Sequence, residues 1–203
     1  LSNVSVPGYV VIDGIVMQGN FVETLLKENL EFKADMMIMG TKGSDASSEK
    51  AISNSSRITN EAHCPVLVIP VEYDRFEINK ITLAIGNELI DDPSVLSTLL
   101  VIARQFNAKI HALTVYEEED DDFALETKNE AVLKYYFENY YSHISSTESS
   151  NIGESIMQFD ESHGVDMLAI IPQNHSTNST PSEGRLTKFL TLNTDIPLLT
   201  MNK

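Results

Sequence analysis

Apolar residues in the second part of the chain fall into two alternating patterns. Short runs such as 81–85 and 110–116 are mostly apolar, and 167–171 is continuously apolar. Between them, apolar residues recur at helical spacing, as in Val95, Leu99, Ile102, Ala103 and Phe106. Continuous short runs are typical of buried strands, and the three-to-four spacing predicts helices that cover them. The alternation therefore predicts an α/β fold whose parallel sheet is covered on both faces.

The same patterns place the individual elements. Strands are predicted at 81–85, 110–116, 141–145, 166–171 and 197–201, and helices at 95–106, 125–140, 151–163 and 183–192. In the first part of the chain, strands are predicted near Ile15, near Met36 and at 65–71, and helices at 20–32 and about 47–62.

A long internal repeat organises the chain. Residues 19–40 recur without a gap at 150–171, so that Asn20 matches Asn151 and Asp35 matches Asp166, both 131 residues apart. Solenoid repeats are only ~20 to 50 residues long, so this spacing predicts two copies of one domain. We expect residues 1–72 to be the C-terminal part of a first domain, 73–79 a linker and 80–203 a second domain. The missing opening strands of the first domain should be supplied by about fifty further residues before Leu1 or by another chain.

Composition limits the function classes. The chain has 14 basic and 30 acidic residues and a formal charge of −16, which argues against binding nucleic acid or an anionic membrane. Its one cysteine, Cys64, cannot form an intrachain disulfide. The apolar runs are shorter than the ~18 to 20 residues of a membrane helix. These features predict a cytoplasmic protein without a membrane segment.

Residues 34–70 resemble the C-terminal signature of the universal stress protein family, in which a strand ends in M-G-T-x-G and a C-P-V-L-V-V-P strand closes the domain. The matching residues are Asp35, Met39, Gly40, Thr41, Gly43, Cys64, Pro65, Val66, Leu67, Val68 and Pro70. The resemblance implies a doubly wound parallel five-stranded sheet of the flavodoxin or Rossmann-like (HUP) type, with strand order 3-2-1-4-5, in two tandem copies.

The resemblance also implies a candidate nucleotide site, because binding members of the family carry G-x2-G-x9-G-[ST]. Gly40 and Gly43 match the first half of this motif, but the second half fails. Ser53 and then Asn54 follow at the motif's spacing, and an alignment backwards from Cys64 instead places Ile52 where the third glycine belongs. Polar groups at a helix start can hold an anion, although a cluster of this kind can also be a simple helix cap. The candidate contacts for ATP or AMP are Gly40, Thr41, Gly43, Ser53, Asn54, Ser55 and Ser56.

The second copy departs further from the motif. Ile171 and Asn174 stand where the two glycines would be, and Pro172 lacks a backbone donor. Gly86 and Asn87 follow the first strand, where binding members carry an acidic residue. We therefore expect the nucleotide site of this copy to be degenerate.

No catalytic or metal-binding pattern emerges from the remaining polar residues. The acidic run 117–122 lacks the ligand spacing of a calcium loop and indicates a solvated loop. The histidines show neither zinc-site nor catalytic-triad spacing; they are His63, His111, His143, His163 and His175. We expect a protein that is not an enzyme and needs no cofactor.

Two functional hypotheses remain. The first is a non-catalytic scaffold or interaction module in a stress response, with a homodimer or an intrachain pseudo-dimer formed through the last strands, 65–71 against 197–201. The alternative is an ATP- or AMP-type binding module that uses the loop from Gly40 to Gly43 of the first domain.

Overall fold

The fold is a single mixed sheet with helices on its faces. In the computed structural model the described residues are 7–41, 49–75, 77–86, 88–116, 123–172 and 183–202. The strands are β1 Met37–Gly40, β2 Val66–Ile69, β3 Lys80–Ile85, β4 Lys109–Tyr116, β5 Tyr141–Glu148, β6 Met167–Ile170 and β7 Leu198–Thr200. The helices are α1 Phe21–Phe32, α2 Glu49–Glu61, α3 Ser97–Phe106, α4 Phe123–Phe137, α5 Ile152–His163 and α6 Glu183–Asn193, with short 3₁₀ turns at Pro93–Leu96 and Glu138–Tyr140.

The seven strands follow the order β1-β2-β7-β6-β3-β4-β5. Neighbouring strands are parallel except at the β2–β7 junction, where Val66 lies opposite Thr200 and Val68 opposite Leu198 in an antiparallel register. The expected pairing of the two last strands is therefore present within one chain. The expected five-stranded sheet is replaced by one seven-stranded sheet, because this junction joins β1 and β2 to the five strands that follow.

The sequence repeat is also a repeat of local structure. The side chain of Asn20 accepts hydrogen bonds from the first-turn amides of α1, and Asn151 caps α5 through the amide of Glu154. Both helices end in a left-handed residue, Lys33 after α1 and Gly164 after α5. These caps satisfy backbone groups that a helix end leaves unpaired, so each repeat unit encodes its own helix boundaries.

Two apolar clusters lie on opposite faces of the sheet. On one face, α3 and α4 bury Leu99, Ala103, Leu133 and Phe137 against Ile81, Leu83, Ile110 and Met167. On the other face, α1, α2, α5 and α6 bury Val22, Ile58, Ile156 and Leu190 against Val66, Leu113 and Leu168. The central strands are therefore enclosed on both faces. In β1, Met37 and Met39 pack towards the second cluster, whereas Ile38 is 61% exposed.

The predicted strand near Ile15 does not form. Residues 10–18 have no regular structure, Ile15 is 67% exposed and Val16 is fully exposed. A strand needs a neighbour for its backbone hydrogen bonds, and among the described residues none lies beside this segment. The apolar residues at 10–18 are therefore not enough by themselves to produce a strand in this segment.

Candidate functional site

The candidate phosphate loop begins at a sheet edge. Gly40 is the last residue of β1, whose only neighbour among the described strands is β2. The amide of Thr41 donates a hydrogen bond of 3.0 Å to the carbonyl of Ile69, so it is already used within the sheet. A Cβ atom added at Gly40 would meet only the Ile69 carbonyl oxygen, at 3.9 Å, so packing does not demand glycine here. Gly43 lies outside the described residues.

The polar cluster that was expected to begin a helix lies inside one. Helix α2 begins at Glu49, which makes Ser53 its fifth residue. Only the first four amides of an α-helix lack an intrahelical partner, so Ser53 does not lie at a helix start, although the helix predicted at about 47–62 is confirmed. Ser55 and Ser56 are buried in the packing of α2, and the Ser56 carbonyl accepts bonds from the side chains of Thr59 and Asn60. A ligand contact through these residues stays a prediction.

A second candidate lies at the carboxyl ends of β3 and β6. In open α/β sheets, ligands bind outside the strand ends where the strand order reverses. In residues 80–202 this point lies between β3 and β6, since the chain runs outwards from β3 to β5 and returns at β6. A pocket of about 30 Å³ is present there. Its lining residues are Ile85, Gly86, Glu88, Leu89, Ile90, Asp91, Asp92, Val95 and Ile171.

The loop that lines this switch-point pocket is hydrogen-bonded to a buried asparagine. Asn129 of α4 is 2% exposed; its Oδ1 accepts a bond of 3.0 Å from the Ile90 amide, and its Nδ2 donates one of 2.9 Å to the Glu88 carbonyl. Asp92 caps the following turn by accepting from the Ser94 amide, and its hydrogen bonds with Ser94 lower its pKa. These bonds tie the backbone of Glu88 and Ile90 in the pocket wall to α4. Sequence reasoning missed Asn129, whose only signal was a polar residue on an apolar helix face.

The charge of this pocket opposes phosphate. Three of its lining residues, Glu88, Asp91 and Asp92, are acidic. Pro172, just after β6, has no amide to offer, and Ile171 brings an apolar side chain to the pocket. The pocket's volume of about 30 Å³ is two to three times the ~10 to 15 Å³ that a cavity needs in order to hold one water molecule. Chemically, the arrangement suits water or a small uncharged or cationic group.

Three of the five histidines come together elsewhere in the fold. The ring of His111 on β4 lies 3.7 Å from that of His143 on β5 and 6.0 Å from that of His163 on α5, measured between ring centroids. Sequence spacing could not reveal this cluster because its members come from three elements. Across the described ranges, no group of three or more His, Cys, Asp or Glu residues is arranged to hold a metal ion. His63 is exposed, and His175 and the acidic run 117–122 lie outside the described residues.

In the structure, the signature residues Gly40 and Thr41 lie at the carboxyl end of β1, and the signature residues at 64–70 include β2 and the residues on either side of it. Residues 3–70 match the universal stress protein family. A universal stress protein of Thermus aquaticus, named for its place in the QAH/OAS sulfhydrylase 3′ region, is 36% identical over 58 residues, which are 28% of this chain and 42% of that protein. The predicted family resemblance is therefore confirmed for this part of the chain.

Solved structures extend the likeness of fold over most of the chain. The crystal structure of a universal stress protein from Archaeoglobus fulgidus superposes on 90% of this chain with a TM-score of 0.64 and 12% identity, and the chain spans 65% of its length. The chain thus spans less than two thirds of that protein and of the Thermus relative. A universal stress protein of the same organism in complex with dAMP matches 61% of this chain over 97% of its own length, with 11% identity and a TM-score of 0.45.

These similarities show a mixed α/β fold of the Rossmann-like universal stress protein type. Among the described residues, no helix has both the length and the apolar character needed to cross a membrane.

Proposed function

We propose that this protein is a cytoplasmic, tandem universal-stress-protein-like scaffold or interaction module of a stress response, with no catalytic activity and no bound nucleotide. In this proposal residues 1–72 belong to the first domain, 73–79 to the linker and 80–203 to the second. The family match at 3–70, the internal repeat and the equivalent caps of α1 and α5 support the tandem arrangement.

The switch-point pocket is the observation that carries the proposal. Ligand pockets for drug-sized molecules typically enclose ~300 to 1,000 Å³, an order of magnitude more than the pocket of about 30 Å³ found here. A nucleotide would also bring its phosphates towards Glu88, Asp91 and Asp92. Phosphate recognition depends on converging amides and cations, and three carboxyl groups oppose it.

The first domain supports the same conclusion by a different route. The Thr41 amide, which follows β1 where the candidate phosphate loop begins, already donates a hydrogen bond to the Ile69 carbonyl and is therefore not free to meet a phosphate.

The β2–β7 junction suggests how the scaffold is assembled. The final strands of the two proposed domains pair antiparallel, as two subunits would across a two-fold axis. We infer that one chain forms a pseudo-dimer through this junction, so that a homodimer would have to use another surface.

A nucleotide titration tests the proposal against its alternative, the ATP- or AMP-type module. The melting temperature of the wild-type protein is measured with increasing ATP and AMP, with and without Mg²⁺. We expect no shift, whereas a ligand at a hundred times its Kd would stabilise the native state by ~2.7 kcal/mol.

Gly43→Val and Gly14→Val provide the matched pair. Gly14 has nothing within 4 Å of an added Cβ atom, so its substitution controls for a general glycine effect. A melting shift that disappears in Gly43→Val and persists in Gly14→Val would overturn the scaffold proposal in favour of the binding module.

A further inference from the structure

Most of the large apolar side chains that the described chain exposes lie within residues 9–38. Residues 10–17, called the free segment below, hold the most exposed of them: Val11 is largely exposed and Val16 is fully exposed. The β-branched composition of this segment favours a strand, yet it has no regular structure. A concentration of exposed apolar side chains of this kind marks an interaction surface.

The internal repeat assigns the free segment to a strand position. Its counterpart 131 positions later is β5, Tyr141–Glu148. The free segment precedes α1 as β5 precedes α5, and Asn20 and Asn151 cap these two helices. The sheet has therefore already accepted the equivalent segment of the second half as a strand.

The edge of β1 that faces away from β2 is equivalent to an edge that pairs with a strand. The amide of Met37 donates a bond of 2.9 Å to the carbonyl of Pro65, on the β2 side. Backbone groups alternate in direction along a strand, so the amides of Ile38 and Gly40 point away from β2. Ala169, the repeat counterpart of Ile38, pairs with β3 at that position.

Helix α1 keeps the free segment away from the β1 of its own copy. In the second half of the chain α5 connects β5 to β6, and β3 and β4 lie between these two strands. With α1 in the position equivalent to that of α5, the free segment lies across the sheet from β1 and not beside it. Among the described strands, the neighbour of β1 is β2. A strand that pairs with the other edge of β1 therefore has to come from elsewhere.

We propose that the free segment of a second copy pairs with the edge of β1, and that the two copies exchange these segments reciprocally. Such a contact is self-complementary, because each copy offers one strand-forming segment and one strand edge. Apart from Asp13, neither the free segment nor β1 carries a charged side chain. The contact therefore adds little to the repulsion between two chains of formal charge −16.

The inference deepens the proposed scaffold function and rests on one part of it. The β2–β7 junction is used within one chain, so that a dimer needs a different surface, and the β1 edge is that surface. The nucleotide titration does not depend on this edge. Failure of the exchange and failure of the scaffold proposal are therefore distinguishable.

Sedimentation velocity of the purified chain over a range of concentrations tests the exchange. We expect a dimer of twice 22.6 kDa that dissociates on dilution. A chain that stays monomeric at every concentration would overturn the proposal. Open-ended assembly beyond the dimer would also overturn it, because reciprocal exchange closes at two copies.

A pair of double variants tests whether the free segment forms the contact. Val11→Asp with Val16→Asp charges both faces of the segment, because residues an odd number apart face opposite sides of a strand. Both side chains are already in water in the single copy, so the variant should fold normally while its dimer Kd rises at least ~tenfold. Exposed Val71→Asp with Val101→Asp is the matched control and should dimerise as the wild type does. Equal dimer Kd values for the two double variants would overturn the proposal.

A second pair of variants tests the edge of β1. Ile38→Pro removes an amide that points away from β2, which an edge strand tolerates, and Ile38→Val keeps this amide as the control. The proline variant should raise the dimer Kd about tenfold relative to the valine variant, since one backbone hydrogen bond is lost.

Hydrogen exchange of the wild-type protein is independent of how the variants fold. The amides of Ile38 and Gly40 should exchange more slowly at concentrations where the dimer forms. Rapid exchange of these amides in the dimer would overturn the proposal. Slow exchange that dilution does not change would overturn it as well, because a part of the same chain would then cover the edge.

Discussion

Strands β1 and β6 belong to the same repeat, yet they have different surroundings. All four residues of β6 are buried, because β3 and β7 flank it and helices cover both of its faces. In β1, half-buried and exposed residues alternate. Ala169 in β6 is completely buried, whereas Ile38, 131 positions earlier, is 61% exposed. Equivalent sequence therefore produces an equivalent strand, but burial depends on what lies beside that strand.

The two repeated aspartates differ in the same way. Asp166 precedes β6, and its Oδ2 accepts bonds from the amides of Asn79 and Lys80 at 2.8 and 3.0 Å, which ties the linker and the start of β3 to the sheet. Asp35, its counterpart before β1, lies at an exposed position. The same side chain fastens a neighbouring strand in one half of the molecule and faces solvent in the other.

The contrast between β6 and β1 is tested most strongly by placing the same charge at Ala169 and at Ile38. Ala169→Lys buries an unpaired ammonium group and should cost at least ~4 kcal/mol, enough to unfold a domain of ordinary stability. Ile38→Lys should change the free energy of unfolding by no more than ~0.5 kcal/mol, because the side chain is already in water. Urea unfolding followed by circular dichroism measures both. Equal destabilisation would show that the exposed face of β1 is covered in solution.

Truncating an apolar side chain in each strand should show the same difference between β6 and β1, with smaller changes in the free energy of unfolding. Leu168→Ala removes a completely buried side chain of β6 and should cost about 3 kcal/mol. Met37→Ala truncates the half-buried counterpart in β1 and should cost about 1 kcal/mol, because less apolar area returns to water. If Met37→Ala proves the more costly, β1 contributes more to the core than its exposure indicates.

Two buried asparagines extend the comparison to hydrogen bonds. Asn129→Ala leaves the Ile90 amide without its acceptor beside the switch-point pocket and should cost about 2 kcal/mol. Asn29→Ala in α1 loses the 3.3 Å bond that the Cys64 thiol donates, and a thiol is a weak donor, so about 1 kcal/mol is expected. Thermal unfolding gives both values, and hydrogen exchange at Ile90 should accelerate only in Asn129→Ala.

Much of the fold could be predicted from local patterns. The mostly apolar runs at 81–85 and 110–116 form β3 and β4, and the repeated Asn20 and Asn151 mark the beginnings of α1 and α5. The edge-to-edge pairing of the two last strands was predicted from their apolar character and their place at the end of each repeat, and the structure adds that the pairing is antiparallel. These features depend on residues close together in the chain or on a strand edge that has to be paired.

The candidate site was harder to predict, because its geometry joins distant segments. The motif pointed to Gly40 and Ser53, but the true start of α2 at Glu49 places Ser53 within the helical hydrogen-bond ladder. The support of the switch-point pocket by Asn129 and the meeting of the histidines from β4, β5 and α5 have no signature in sequence spacing.

The sequence by itself determined the order of strands and helices, the repeat and the helix caps, because periodicity and capping act over a few neighbouring residues. Only the tertiary structure decided that residues 10–18 form no strand, that Ile38 faces water while Ala169 is buried, and that the rings of His111 and His143 lie 3.7 Å apart. Backbone pairing, burial and pKa values depend on groups brought together from distant parts of the chain, and local pattern carries no information about which of those groups are present.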